Sequence, residues 1–106
     1  MPWIFLVAAG LLEIVWAFAL KQSDGFTRLV PSAITVVAML GSIVLLALAM
    51  RSLPLGTSYM IWTGIGAVGA FAVGIVMLGE PVTPMRLTAA TLIVAGLVMM
   101  KLSTTA

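Results

Sequence analysis

Residues 29–50 read LVPSAITVVAMLGSIVLLALAM, a run of 22 without a charge. As a helix, rising about 1.5 Å per residue, it is about 33 Å long and can cross a hydrocarbon core of about 30 Å. The pattern repeats on either side. Residues 57–78 (TSYMIWTGIGAVGAFAVGIVML) form a second uncharged run of the same length, and residues 1–20 hold one ionisable side chain, Glu13. The last run, 87–100, has only 14 residues between Arg86 and Lys101. Those two side chains can lay their stems along apolar surface and carry their charges outward, which lengthens the span. A re-entrant segment is the alternative. The expected fold is all-α and integral to the membrane: four transmembrane helices at about 3–20, 29–50, 57–78 and 84–102, forming one domain over residues 1–106.

Composition points the same way. Of 106 residues, 63% are hydrophobic and 8% charged, against about 25% charged in ordinary soluble domains. Mean hydropathy is +1.30. Too few polar side chains remain to coat a globule in water. The absence of Cys and His removes thiol catalysis, disulfide scaffolds and almost all zinc or haem sites. Five basic and three acidic side chains leave no basic patch for nucleic acid. Neither an enzyme nor a cofactor or metal site is expected.

The connections are short. Residues 21–28 (KQSDGFTR) hold the Asp24-Gly25 turn pair, and Pro31 follows in a first helical turn. Residues 51–56 (RSLPLG) pair Pro54 with Gly56, and Thr57 or Ser58 can cap the third helix. Residues 79–84 (GEPVTP) end that helix, with Thr83-Pro84 reading as N-cap and first position of the fourth. No loop can hold a domain, so function must lie within the helices. Ala17-Phe18-Ala19 looks like a signal-peptide cleavage site. No basic stretch precedes it and Glu13 interrupts the apolar run, so the first helix is expected to stay.

Orientation follows from the Lys and Arg bias between the two sides. With four spans, Arg51 and Lys101 share one side, and Lys21, Arg28 and Arg86 the other. The bias is nearly nil, so copies could insert both ways up; one fixed orientation is the plainer reading. Four helices also make a bundle too thin to enclose a solvated path. Many transporters solve this with inverted repeats meeting at the midplane, but no internal repeat is present. An antiparallel pair of identical chains supplies that symmetry, so a dual-topology homodimer in the lipid bilayer is expected.

Glu13 is the most informative residue. It lies ten residues after Trp3 and eight before Lys21, about 15 Å and 12 Å from the two ends of its helix. That is the bilayer centre, where an ionisable side chain is costly and marks a pathway or proton relay. A structural carboxyl bonded to a neighbouring helix is the plainer alternative, but the chain offers no buried cation at matching depth. Such an acid can hold a proton and release it when a cation arrives. A second Glu13 from a partner chain would titrate together with the first. If the empty anionic site reorients poorly, this competition becomes exchange transport.

Neighbouring positions suggest a pocket. At 100° per residue, Leu6, Gly10, Glu13 and Ala17 fall on one face, with Trp16 at its edge. On the third helix Tyr59, Trp62, Gly66, Gly69 and Val73 share a face, and Ser42 brings a hydroxyl to mid-membrane on the second. Together these supply an acid, aromatic faces for a cation, and hydroxyls to hold the acid. Each has a plainer role. Trp3 reads as an interfacial belt residue, Tyr59 and Trp62 lie near enough to a helix end to be the same, and Ser42 could simply pack helices. Gly64-Ile65-Gly66-Ala67-Val68-Gly69 matches G-x-G-x-x-G, but it follows no strand, so a kink or close helix approach is the better reading.

These residues closely resemble the small multidrug resistance family, in its guanidinium-exporter subgroup, over essentially the whole chain. The matching stretches are Gly10-Leu11-Leu12-Glu13-Ile14-Val15-Trp16, Gly25-Phe26-Thr27-Arg28-Leu29 with Pro31-Ser32, Leu53-Pro54-Leu55-Gly56-Thr57-Ser58-Tyr59, and Ile61-Trp62-Thr63-Gly64-Ile65-Gly66-Ala67. The resemblance implies antiparallel dual-topology homodimers in the bacterial inner membrane that export by alternating access, coupled to protons. It implies that Glu13 binds proton and substrate in turn, with Gly10, Trp16, Ser42, Tyr59 and Trp62 lining the site. Gly64 and Gly66 resemble the family's bend in helix three. Leu92, Ile93 and Gly96 resemble its dimer contact on helix four, where Ala89 stands in place of the family's first small Gly.

Guanidinium is planar, with N–H donors that fork onto a carboxylate, whereas quaternary ammonium has none. Hydroxyls at Ser42, Tyr59 and Thr63 suit a site that orients its carboxylates for directional bonds. Thr63 within Trp-Thr-Gly-Ile-Gly also resembles the guanidinium subgroup. The expected function is proton-coupled export of guanidinium or small organic cations. Three alternatives stay open: a broad quaternary-ammonium exporter, a dual-topology ion channel, and a non-transporting structural subunit.

Overall fold

The computed structural model describes residues 2–103, which form four helices and no strand: α1 (Pro2–Gln22), α2 (Leu29–Ala49), α3 (Leu55–Leu78) and α4 (Pro84–Ser103). All four are long and apolar enough to cross a membrane. α4 is a full 20 residues, so the uncharged run that looked short continues as helix past Arg86 and Lys101.

Local chemistry sets the helix ends. After α1, the Ser23 hydroxyl donates to the Leu20 carbonyl at 2.6 Å and accepts the Phe26 N–H at 3.1 Å. Asp24, Gly25 and Phe26 then all take left-handed backbone, with φ of 49°, 70° and 68°. Glycine accepts this freely, whereas Phe26 is held there at a cost. α3 starts directly after Pro54, whose φ of −61° suits a helix entry. Neither Thr57 nor Ser58 caps it, contrary to the sequence expectation. Thr57 instead donates to the Met100 sulfur at 3.9 Å, and the Ser58 hydroxyl is buried with no hydrogen-bond partner among the described residues. α3 stops at Gly79 (φ 68°), whose N–H makes a six-to-one bond to the Gly74 carbonyl, and the Glu80 N–H returns to the same carbonyl at 3.0 Å, closing a left-handed helix stop. The Thr83 hydroxyl accepts the Arg86 N–H at 3.1 Å, so Thr83 does cap α4.

The helices form a slab, not a square bundle. Its Cα extents are 43 × 34 × 16 Å. α1 occupies the middle and packs along α2 on one side and α3 on the other; α4 packs on α3, and α2 barely reaches α3. A small core of Leu6, Ala9, Leu46, Ala49, Leu53 and Ile61 sits toward one end, with Trp3, Trp62, Ile65 and Leu97 partly buried against it. Apolar side chains cover the outside: Val37, Val76 and Leu92 are all about 70% or more exposed, at 71%, 81% and 68%. Such a surface fits lipid and not water. α4 buries no residue at all.

Candidate functional site

Glu13 lies near the midpoint of α1 and faces α3. Its carboxylate rests against Gly66, where a Cβ would overlap Oε1. Two neighbouring contacts have the same form. A Cβ at Gly10 would come within 2.6 Å of Ile65 Cγ2, and one at Gly69 would overlap Ile14. Three side chains thus seat in three glycine notches, one on α1 and two on α3. Close approach is what these glycines provide in this structure: α3 stays helical through Gly64 and Gly66, and Gly64 admits Leu97 of α4.

Glu13 Oε1 is buried and has no hydrogen-bond partner among the described residues. Trp16 Nε1, one turn further along α1, shares that condition. A carboxylate oxygen and an indole N–H, both unsatisfied at mid-span, are expensive in a medium without water. Native structures tolerate such groups chiefly where a ligand, proton or water meets them.

Ser42 is engaged within its own chain. Fully buried, it donates to the Ala9 carbonyl at 2.6 Å and accepts the Trp62 indole N–H at 2.9 Å. It therefore fixes Trp62 within this chain and does not bond Glu13. Tyr59 stacks obliquely on Trp62, with ring centroids 5.6 Å apart and planes at 51°, and is half exposed. Thr63 is exposed on α3. The structure therefore brings Gly10, Glu13 and Gly66 together at the α1–α3 contact, and joins Ser42, Trp62 and Tyr59 as a second group.

A cavity of about 310 Å³ opens between α1 and α3. Its mid-membrane lining includes Ile14 and Ala67, the sequence neighbours of Glu13 and Gly66, and at the helix ends it includes Lys21 and Glu80. Ala89 and Ile93 line a smaller space of about 240 Å³ between α3 and α4 with Phe71 and Arg86. Leu92 and Gly96 are exposed, and a Cβ on Gly96 would meet nothing within 4 Å.

The charged groups at the helix ends, which the sequence marks only as span ends and orientation signals, have partners across helices. Arg86 Nη2 lies 4.0 Å from Glu80 Oε1, and its guanidinium carbon lies 5.4 Å from the Phe71 ring centroid. Lys101 Nζ sits 4.9 Å over the ring of Trp3. Both bases of α4 thus rest on aromatic faces of other helices, an arrangement visible only once the register between helices is known.

Comparison with known proteins places the geometry in a lineage. The sequence model of the Small Multidrug Resistance protein family matches residues 1–93. The chain is 62% identical to the guanidinium exporter of Escherichia coli strain K12 over 104 residues, covering 98% of this chain and 99% of that protein. The guanidinium exporter of Shigella flexneri gives the same figures, and that of Citrobacter freundii is 60% identical with the same coverage. Four membrane-crossing helices, a mid-span acid and a match of this extent lead to one conclusion: the chain belongs to the small multidrug resistance family.

Proposed function

We propose that this multi-pass membrane protein is a proton-coupled antiporter that exports guanidinium and small guanidinyl cations. The observation that carries the proposal is the Glu13 carboxylate, seated against Gly66 at mid-span with Oε1 unpartnered. The naming of 62% identical relatives as guanidinium exporters supports the substrate. Proton and guanidinium bind Glu13 in turn, since one carboxylate cannot hold both. Guanidinium forks its N–H groups onto the carboxylate, and Trp16, Trp62 and Tyr59 offer ring faces to the cation. Gly10 admits Ile65 one turn from the acid, Ser42 fixes Trp62, and Thr63 adds a hydroxyl from a partner chain.

The working unit is an antiparallel homodimer in the bacterial inner membrane, carrying a pair of Glu13 carboxylates. A slab 16 Å thick cannot enclose a path alone. α4, exposed along Ala89, Leu92, Ile93 and Gly96, supplies the contact between copies, and Gly64 and Gly66 permit α3 to bend as access alternates.

Purified protein in liposomes with an imposed pH gradient tests the proposal. Guanidinium should move against proton flow, and Glu13→Gln should abolish that movement while the protein stays dimeric. Proton-coupled uptake that survives in Glu13→Gln refutes it. A second reading, a broad quaternary-ammonium exporter, is favoured by the tilted Tyr59–Trp62 pair, because ring faces attract any small cation. Transport of guanidinium against tetraalkylammonium in the same vesicles separates the two.

A further inference from the structure

One charged cluster away from Glu13 is built into the fold. Glu80 leaves α3 through the left-handed Gly79, and its N–H donates to the Gly74 carbonyl at 3.0 Å. This turns the side chain back over the helix it has just left. A Cβ on Gly74 would overlap the Glu80 carboxylate, so this acid also sits in a glycine notch. It lines the helix-end part of the α1–α3 cavity, with Lys21 on the opposite wall, while Ile14 and Ala67 line its deeper part.

A guanidinium already meets this carboxylate. Arg86 reaches from α4 to within 4.0 Å of Glu80 Oε1 and lies over Phe71 at 5.4 Å. A carboxylate beside an aromatic face is the pair of groups that recognises a guanidinium ion, and the chain's own arginine occupies it. Both side chains are 42% exposed, and ion pairs in such settings are weak. A free cation can therefore displace the tethered one.

We propose that Glu80 and Phe71 form an outer cation site for guanidinium-type ions at the mouth of the α1–α3 cavity, with Arg86 as its tethered competitor. A role for this site in transport rests on the antiporter reading above; binding there does not. Lys21 across the cavity keeps the site weak, so an ion pauses there and is not trapped.

The chain has two glutamates, Glu13 and Glu80. In Glu13→Gln protein labelled with carboxyl-13C glutamate, one side-chain carboxyl signal remains. Titration with guanidinium chloride should shift it saturably. Tetramethylammonium chloride, which has no N–H donor, should act several-fold more weakly at equal ionic strength. Adding Arg86→Ala should tighten guanidinium binding about two- to fivefold, the range expected on removing a half-exposed ionic competitor. No saturable shift, or equal shifts from both salts, overturns the site; weaker binding in Arg86→Ala overturns the competitor. If Glu13→Gln does not fold, the native chain shows two signals, and loss of one in Glu80→Gln assigns them. Guanidinium transport without a Glu80 shift defeats this proposal alone. A Glu80 shift without transport defeats the antiporter reading alone.

Discussion

The Trp62 indole N–H donates to the Ser42 hydroxyl at 2.9 Å, and the same hydroxyl donates to the Ala9 carbonyl at 2.6 Å. One oxygen atom thus ties α3 to α2 and α2 to α1. Ser42→Ala strands the indole N–H where little else can accept it, at a cost of about 1–3 kcal/mol. The denaturation midpoint in detergent should fall accordingly, and guanidinium affinity should drop because Trp62 is no longer fixed. An unchanged midpoint would show that the three-helix tie is dispensable.

Gly66 and Gly96 should respond oppositely to the same methyl group. At Gly66 a Cβ would overlap the Glu13 carboxylate, whereas at Gly96 it would meet nothing within 4 Å. Gly66→Ala should lower guanidinium transport by about tenfold or more, the scale of effect expected when a reacting group is misplaced by an ångström. Gly96→Ala should leave the fold as stable or more so, by up to about 1 kcal/mol of helix propensity. The bulkier Gly96→Leu should weaken self-association, read by energy transfer between labelled chains on dilution in detergent.

Guanidinium binding should weaken as the medium becomes more acidic. The sign follows from competition: a protonated Glu13 has no negative charge to offer, so protons displace the cation. On the acid side, each pH unit should reduce affinity by up to about tenfold for one proton exchanged. Calorimetric titration across a pH series measures the slope, and Glu13→Gln should flatten it. A pH-independent affinity in the native chain would end the antiport proposal.

Gly79 holds φ at 68°, where a side chain costs about 1–2 kcal/mol. Gly79→Ala should lower stability by about that amount and release Glu80 from the Gly74 notch. The first effect appears in thermal unfolding. The second appears as a change in the cation response at Glu80, which a merely destabilised turn does not produce.

The chain contains no cysteine, so single cysteines give clean topology markers. Placed at Asp24 and, separately, at Ser52, on opposite sides of the slab, each should be labelled in about half the molecules from outside the cell, as near-balanced Lys and Arg counts imply. The remainder should react after permeabilisation. Complete protection of one position and complete labelling of the other would establish a single orientation.

Much of the fold is legible without coordinates because hydrocarbon imposes few solutions. Uncharged runs at 29–50 and 57–78 must be helices once they enter a bilayer, since no other single segment satisfies its own backbone there. Glu13 stands out for the same reason: one acid against a long apolar background. Helical period alone puts Gly66 on one face with Tyr59 and Trp62. Relations set by the register between helices were hidden. Ser42 looked like a hydroxyl available to Glu13, but α2 is offset so that it meets Ala9 and Trp62. Thr57 and Ser58 looked like caps, but Pro54 starts α3 earlier and leaves them inside the first turn. Glu80 looked like an ordinary loop acid, and only the left-handed turn at Gly79 shows that it folds back onto Gly74.

The bare fourth helix bears on how the molecule is made. α1, α2 and α3 hold one another through Ser42 and the α1–α3 glycine notches with no contribution from α4. α4 then arrives with α3 as its main seat and a flank still coated by lipid. Completion of the chain and coverage of that flank are therefore separate events. The interval between them is the period in which a newborn copy is open to capture by another, or to removal by membrane proteases.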